Sequence, residues 1–168
     1  MRVLGVDPGL EATGYGIIEV ARTGSAALVE AGVIRTEAGR PLPHRLLEIS
    51  RALRQVIDEF HPDVLALEDL YSAYAHPRTA ILMGHARGVV CLAAAEAGLE
   101  VVGYPPARIK QSLVGSGRAS KEQVGRMVAM KLGLDEVPKP DHVTDALAAG
   151  LAHCQMSARP PAAKVRRR

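Results

Sequence analysis

Two apolar runs in this chain end on a carboxylate, and that pairing restricts the possible folds more than any other feature. Residues 2–7 (Arg-Val-Leu-Gly-Val-Asp) stop at Asp7, and residues 63–68 (Asp-Val-Leu-Ala-Leu-Glu) stop at Glu68. Runs of this length and composition read as buried strands. If the two strands lie side by side, both acids reach the crevice at the carboxyl end of a sheet. Two carboxylates brought together there repel and raise one pKa, an arrangement tolerated mainly where a metal ion offsets it.

The rest of the chain supplies a sheet for those strands. After Asp7, a Pro8-Gly9 turn leads to a second strand at about 13–20 and a third at about 26–35, joined closely enough to form an antiparallel meander. Gly9, Gly14 and Gly16 are expected to leave space beside Asp7 for a ligand. Pro41 and Pro43 open a helix of about 44–60 with Leu46, Ile49, Leu53 and Val56 on one stripe, and Pro62 stops it. An Ala-rich helix follows at about 77–97, carrying Gly84 and Gly88, and Gly98 caps it. Glu100–Tyr104 is the fifth strand. Helices are predicted from Pro106 to near Val114, over 121–132 with Ser120 as N-cap, and from Asp141 to about Gln155. The expected fold is α/β and ribonuclease H-like, with a mixed sheet of three antiparallel and two parallel strands flanked by helices.

At 168 residues and 48% hydrophobic composition, the chain suits one domain over 1–156, followed by a basic tail at 157–168 expected to be disordered. No apolar run approaches the roughly 18–20 residues that span a bilayer, and Asp7 interrupts the only candidate leader, so a cytoplasmic location is expected. Cys91 and Cys154 lack partners at zinc-ligand spacing and read as small core residues. The net charge of +3 is unevenly spread: Arg108, Lys110, Arg118, Lys121, Arg126 and Lys131 gather in one stretch, and Lys164 and Arg166 to Arg168 in the tail. A basic surface around an acidic centre suits a polyanionic substrate handled by metal ions.

A third acid completes the pattern. His142 and Asp145 are three residues apart on the last helix and so share a face. Asp145 lies on a helix otherwise apolar on its packed face, where an acid requires a cation or metal as partner. Together Asp7, Glu68, Asp145 and His142 would hold two Mg²⁺ ions about 4 Å apart, suited to in-line phosphodiester hydrolysis. Asp7, on the central strand, would bridge them. The imidazole makes Mn²⁺ an effective substitute. Asp141 is one residue off that face and reads as an N-cap.

These motifs resemble the RuvC family of bacterial Holliday-junction resolvases over about residues 1–156. The resemblance rests on Gly5-Val6-Asp7-Pro8-Gly9 with Thr13-Gly14-Tyr15-Gly16, Ala66-Leu67-Glu68, Gly84-His85-Ala86-Arg87-Gly88, Ala107-Arg108-Ile109-Lys110-Gln111, and Asp145-Ala146-Leu147-Ala148. It implies a homodimeric endonuclease that nicks four-way DNA symmetrically, leaves 5′-phosphate ends and serves recombination and repair. It further implies RuvA and RuvB as partners and a nucleoid-associated location. Asp7, Glu68 and Asp145 match the family's catalytic acids, while His142 stands where many members carry a fourth acid and some a histidine, which leaves its role open between metal ligand and general base. Lys110 and Lys121 match lysines near the scissile phosphate, Tyr71 an aromatic that stacks on a base, and Arg78 and Arg118 are candidate DNA contacts. Arg87 is either a phosphate contact or a brace for the long helix. The remaining histidines (His44, His61, His76, His85 and His153) are unassigned, and most are expected to be ordinary.

Other classes fit less well. A sugar-kinase or actin-type ATP-binding fold also pairs a strand-end Asp with a Gly-rich hairpin, but needs a second domain and a second phosphate loop. A YqgF-type ribonuclease H relative acting on RNA is disfavoured by Glu68-Asp69-Leu70-Tyr71 and the basic 104–131 stretch. A catalytically inert junction-binding module would not need every acidic position filled.

Overall fold

The computed structural model describes residues 1–69 and 77–157. Strands β1 (Arg2–Asp7), β2 (Ala12–Val20) and β3 (Ala26–Arg35) form the antiparallel meander. Strands β4 (Val64–Glu68) and β5 (Glu100–Tyr104) join it in parallel, giving the order β3-β2-β1-β4-β5. The parallel register pairs Val6 with Leu67, so Asp7 and Glu68 leave the sheet side by side. The expected mixed sheet, with β1 at its centre, is therefore the one formed.

Helices cover both faces. On one side α1 (Leu42–Phe60) and α2 (Pro77–Glu96) pack Ile49, Leu53, Ala86 and Val90 against Leu4, Val6, Leu65 and Leu67. On the other, α3 (Pro106–Val114), α4 (Lys121–Leu132) and α5 (Asp141–Ser157) pack Ile109, Val128, Leu147 and Leu151 against Val3, Ile18 and Ala66. The alternation Val3/Leu4 along β1 serves the two cores, as a strand buried on both faces requires. Helix α1 starts two residues earlier than the periodicity predicts, because Pro43 falls within its first turn, where its missing N–H costs nothing. Ser120 caps α4 through a full capping box with Gln123. The backbone closes α2 as predicted at Gly98, in the left-handed conformation, with Leu99 N donating to Ala94 O.

Helix α5 is buried along most of its length and crosses directly over β1 and β2. The glycines explain how it comes so close. A Cβ on Gly5 would run into the Ala146 carbonyl oxygen, and one on Gly14 into the His142 carbonyl oxygen. A Cβ on Gly16 would meet the Leu147 side chain. This corrects the expectation that Gly14 and Gly16 open space for a ligand: they admit α5 instead. Gly9 serves its own turn, where a Cβ would strike the Ala12 carbonyl oxygen. Gly84 and Gly88 face outward with nothing within 4 Å of an added Cβ. Cys154 is buried in the core, while Cys91 is half-buried.

Candidate active site at the carboxyl ends of the central strands

The hairpin following β1 is held rigidly. Thr13 Oγ1 donates to Gly9 O at 2.7 Å, and Thr36 Oγ1 donates to Leu10 O at 2.6 Å. Arg45, 7% exposed, donates from Nε to Thr36 Oγ1 at 2.8 Å. Sequence reasoning did not assign Thr36 or Arg45. The available signal was a single arginine on the inner stripe of α1, beside Ile49 and Leu53.

Asp7, Glu68 and Asp145 line one small cavity of about 190 Å³ together with Lys110, Lys121 and the apolar Ile109, Val124 and Ala148. His142 stands at the rim, with Nδ1 2.7 Å from Asp7 Oδ2. Lys121 Nζ lies 3.3 Å from Asp145 Oδ2 and 3.9 Å from Asp141 Oδ2. The structure thus brings together the four expected ligands and both expected lysines.

Crowding of like charges shows in the titration of the site. Burial pushes Glu68 up to about 7, and the Asp7 and Asp145 charges push the same way, against Lys110 and Lys121. Burial also raises Asp7, opposed by its hydrogen bond from His142 and reinforced by Asp145. Lys121 is held above the usual lysine range chiefly by Asp145. Because the folded chain binds the Glu68 proton more tightly than the unfolded chain, this carboxyl stabilises the fold below its ordinary 4.5, and that contribution is lost as pH rises through about 7. In chelator, Glu68→Gln should therefore flatten the fall in melting temperature between pH 5 and pH 8. His153, whose pKa burial lowers, acts in the opposite sense, so the measurement compares the variant with wild type. An unchanged slope would refute the assignment.

An excess of carboxylate in a partly buried cavity is the donor chemistry of a hard divalent cation. Among the described residues, no three acidic, imidazole or thiol groups already converge to enclose one ion. Asp7 is turned to His142 and Asp145 to Lys121, so metal binding would exchange these internal partners for the ion. The residues fit a metal by composition and placement, with side-chain rotation needed to close the shell.

The other expected site residues divide. Arg118 is exposed in the loop before α4, and Arg78 is exposed in the first turn of α2, neither lining the cavity. Tyr71, His76 and the tail beyond Ser157 lie outside the described residues. Asp141 opens α5 as its first helical residue, which corrects its reading as the cap before it; it is exposed and faces Lys121. His44, His61 and His85 are exposed, whereas His153 is buried and pairs with Tyr104 at 2.9 Å. Arg87 is ion-paired with Asp69 at 2.6 Å. The sequence did not pair Asp69 with Arg87, although one arginine amid the Ala-, Gly- and Val-rich middle of α2 calls for an anionic partner.

A mixed five-stranded sheet with acids at the ends of its two central strands, and a third on a helix laid across it, defines the ribonuclease H-like nuclease class. Known proteins narrow it. The family model for crossover junction endodeoxyribonuclease RuvC matches residues 3–153. RuvC of Rhodopirellula baltica is 51% identical over 150 residues, covering 89% of this chain and 83% of the relative. Thermus thermophilus RuvC, in a structure with Holliday junction substrate, superimposes with a TM-score of 0.89 at 38% identity, covering 94% of each chain. A yeast mitochondrial Holliday junction resolvase, 14% identical with a TM-score of 0.63 over 92% of this chain and 80% of its own, shares the fold alone. The chain belongs to the RuvC family of crossover junction endodeoxyribonucleases.

Proposed function

We propose that Asp7, Glu68, Asp145 and His142 form the centre with which this chain, a crossover junction endodeoxyribonuclease by family, cuts four-way DNA with divalent metal ions. The observation that carries the reading is the shared cavity: three carboxylates from two strand ends and a crossing helix, with two lysines beside them. A bound pair of Mg²⁺ ions, with Mn²⁺ as substitute, would lower the pKa of the attacking water and offset charge on the leaving 3′ oxygen.

The chain's own residues divide the remaining work. Asp7, Glu68 and Asp145, which line the same cavity, would hold the ions. Lys110 and Lys121 face the same cavity and balance the negative charge of the scissile phosphate. With Asp145 holding metal, Lys121, whose Nζ lies 3.3 Å from Asp145 Oδ2, would be available to that phosphate. His142, whose Nδ1 lies 2.7 Å from Asp7 Oδ2 in the metal-free site, would serve either as a further ligand or as the base that accepts a proton from water. His142→Ala is then expected to slow cutting by about 10²-fold, a loss that shrinks as pH rises, while Asp141→Ala stays within a few-fold. The reverse ranking, read from single-turnover cleavage, would displace His142 from this role.

Arg78, Arg118 and Tyr71 are proposed to hold DNA around the cut, the arginines on phosphates and the tyrosine on a base. Helix α2 is proposed as the homodimer contact. Ile81 and Leu92, 62% and 55% exposed, share its outward face with Gly84 and Gly88, a stripe apolar and flat enough for a second copy. Leu92→Glu should yield a monomer in sedimentation at micromolar concentration, and a persisting dimer would reject this face. RuvA and RuvB as partners and association with the nucleoid belong to the same reading. Among the described residues, no helix is long and apolar enough to cross a membrane. The functional test is cleavage of four-way, three-way and linear DNA of equal sequence, with Mg²⁺ or chelator. Symmetric nicking of the four-way substrate alone, only with metal, is expected. Equal cutting of linear DNA would overturn the reading.

A further inference from the structure

We infer that Arg87 is a positioning residue for Glu68, acting through Asp69 on the end of β4. Glu68 and Tyr104 form the last pair of the β4–β5 ladder, and Asp69 N still donates to Tyr104 O at 2.9 Å. Among the described residues, that bond is the last between this end of β4 and β5. The Asp69 side chain adds a second tie: Oδ1 accepts from Arg87 Nη2 at 2.6 Å, and the carboxylate packs against Gly103 of β5. An added Cβ at Gly103 would strike Asp69 Oδ1 and stand 3.0 Å from its Cγ. Arg87 Nη1 also reaches Cys91 Sγ at 3.5 Å, so the guanidinium is held on its own helix while it holds Asp69.

This clamp sits where the site most needs one. Glu68 precedes Asp69 at the end of β4 and lines the cavity with Asp7 and Asp145, so the position of the strand end sets where its carboxyl stands. The cations that face the Glu68 carboxyl are Lys110 and Lys121, so Arg87 contributes through backbone position. It also links α2 to the catalytic edge of the sheet. The fork of Arg87 is occupied within the protein, which sets it apart from the exposed Arg78 and Arg118.

The inference rests on the metal-site reading above, and Mn²⁺ binding to the full-length, DNA-free protein tests both. Calorimetric titration of Mn²⁺ would compare wild type with Arg87→Gln, Arg87→Lys and Gly103→Ala, each checked for folding by circular dichroism. Arg87→Gln and Gly103→Ala are expected to weaken Mn²⁺ binding about tenfold, as removal of groups that orient metal ligands does. Arg87→Lys should recover part of that loss, and junction binding in chelator should stay at wild-type level. Gly103→Ala removes no charge and no core side chain, so it carries the test if Arg87→Gln fails to fold. Wild-type Mn²⁺ affinity in both variants overturns the inference alone. Loss of junction binding in chelator by Arg87→Gln also overturns it, because Arg87 would then contact phosphate. Absence of Mn²⁺ binding by wild type removes the metal-site reading and this inference with it.

Discussion

Asp7→Asn is expected to abolish Mg²⁺-dependent cutting of a synthetic four-way junction, by at least ~10³-fold or about 4 kcal/mol of transition-state stabilisation, while junction binding survives. The expectation follows from position. Asp7 ends the central strand, shares its cavity with Glu68 and Asp145, and bonds His142 at 2.7 Å. Asparagine keeps the shape and one acceptor oxygen but removes the charge that a bridging ligand must supply. Destabilisation would not explain the loss. Burial already raises the Asp7 pKa, so the metal-free fold should tolerate a neutral side chain as well as the acid. Single-turnover cleavage and a gel-shift in chelator separate the two effects. Undiminished cutting would remove Asp7, and the cluster built on it, from the chemistry.

Asp7 and Glu68 are legible in the sequence because a strand end fixes where a side chain emerges, and the parallel pairing of Val6 with Leu67 needs only the usual right-handed crossover. Asp145 is legible because an acid on an apolar helix face demands a partner. Long-range packing is what sequence conceals. Gly14 and Gly16 announce a missing side chain without naming the neighbour that fills the space, and α5 arrives from more than a hundred residues away. The Arg87–Asp69 pair joins α2 to the end of β4 and is invisible until both elements are placed. Asp141 illustrates a smaller limit: capping and first-turn positions differ by one residue, a shift that composition does not resolve.

The glycines of β2 allow the placement of α5 to be tested separately from its packing. Gly14→Ala would drive a Cβ into the His142 backbone carbonyl, which no rotamer change can relieve. Helix α5 must then shift, taking His142 and Asp145 with it. The expected cost is about 3 kcal/mol of stability and, for a displacement near 1 Å, about 10²-fold in cutting. Gly16→Ala, two residues along on the same face of β2, meets side-chain atoms and no backbone: Leu147 at Cδ2 and Cγ, with Ala31 Cβ at 3.8 Å. The Leu147 side chain can repack, so a cost of about 1 kcal/mol with cutting retained is expected. Denaturant unfolding and single-turnover cleavage of both variants decide the point. Equal losses in the two would mean that general overpacking governs both. Wild-type behaviour of Gly14→Ala would mean that α5 does not approach β2 as closely as its backbone contact there requires, and the registration of His142 on Asp7 would lose its structural cause.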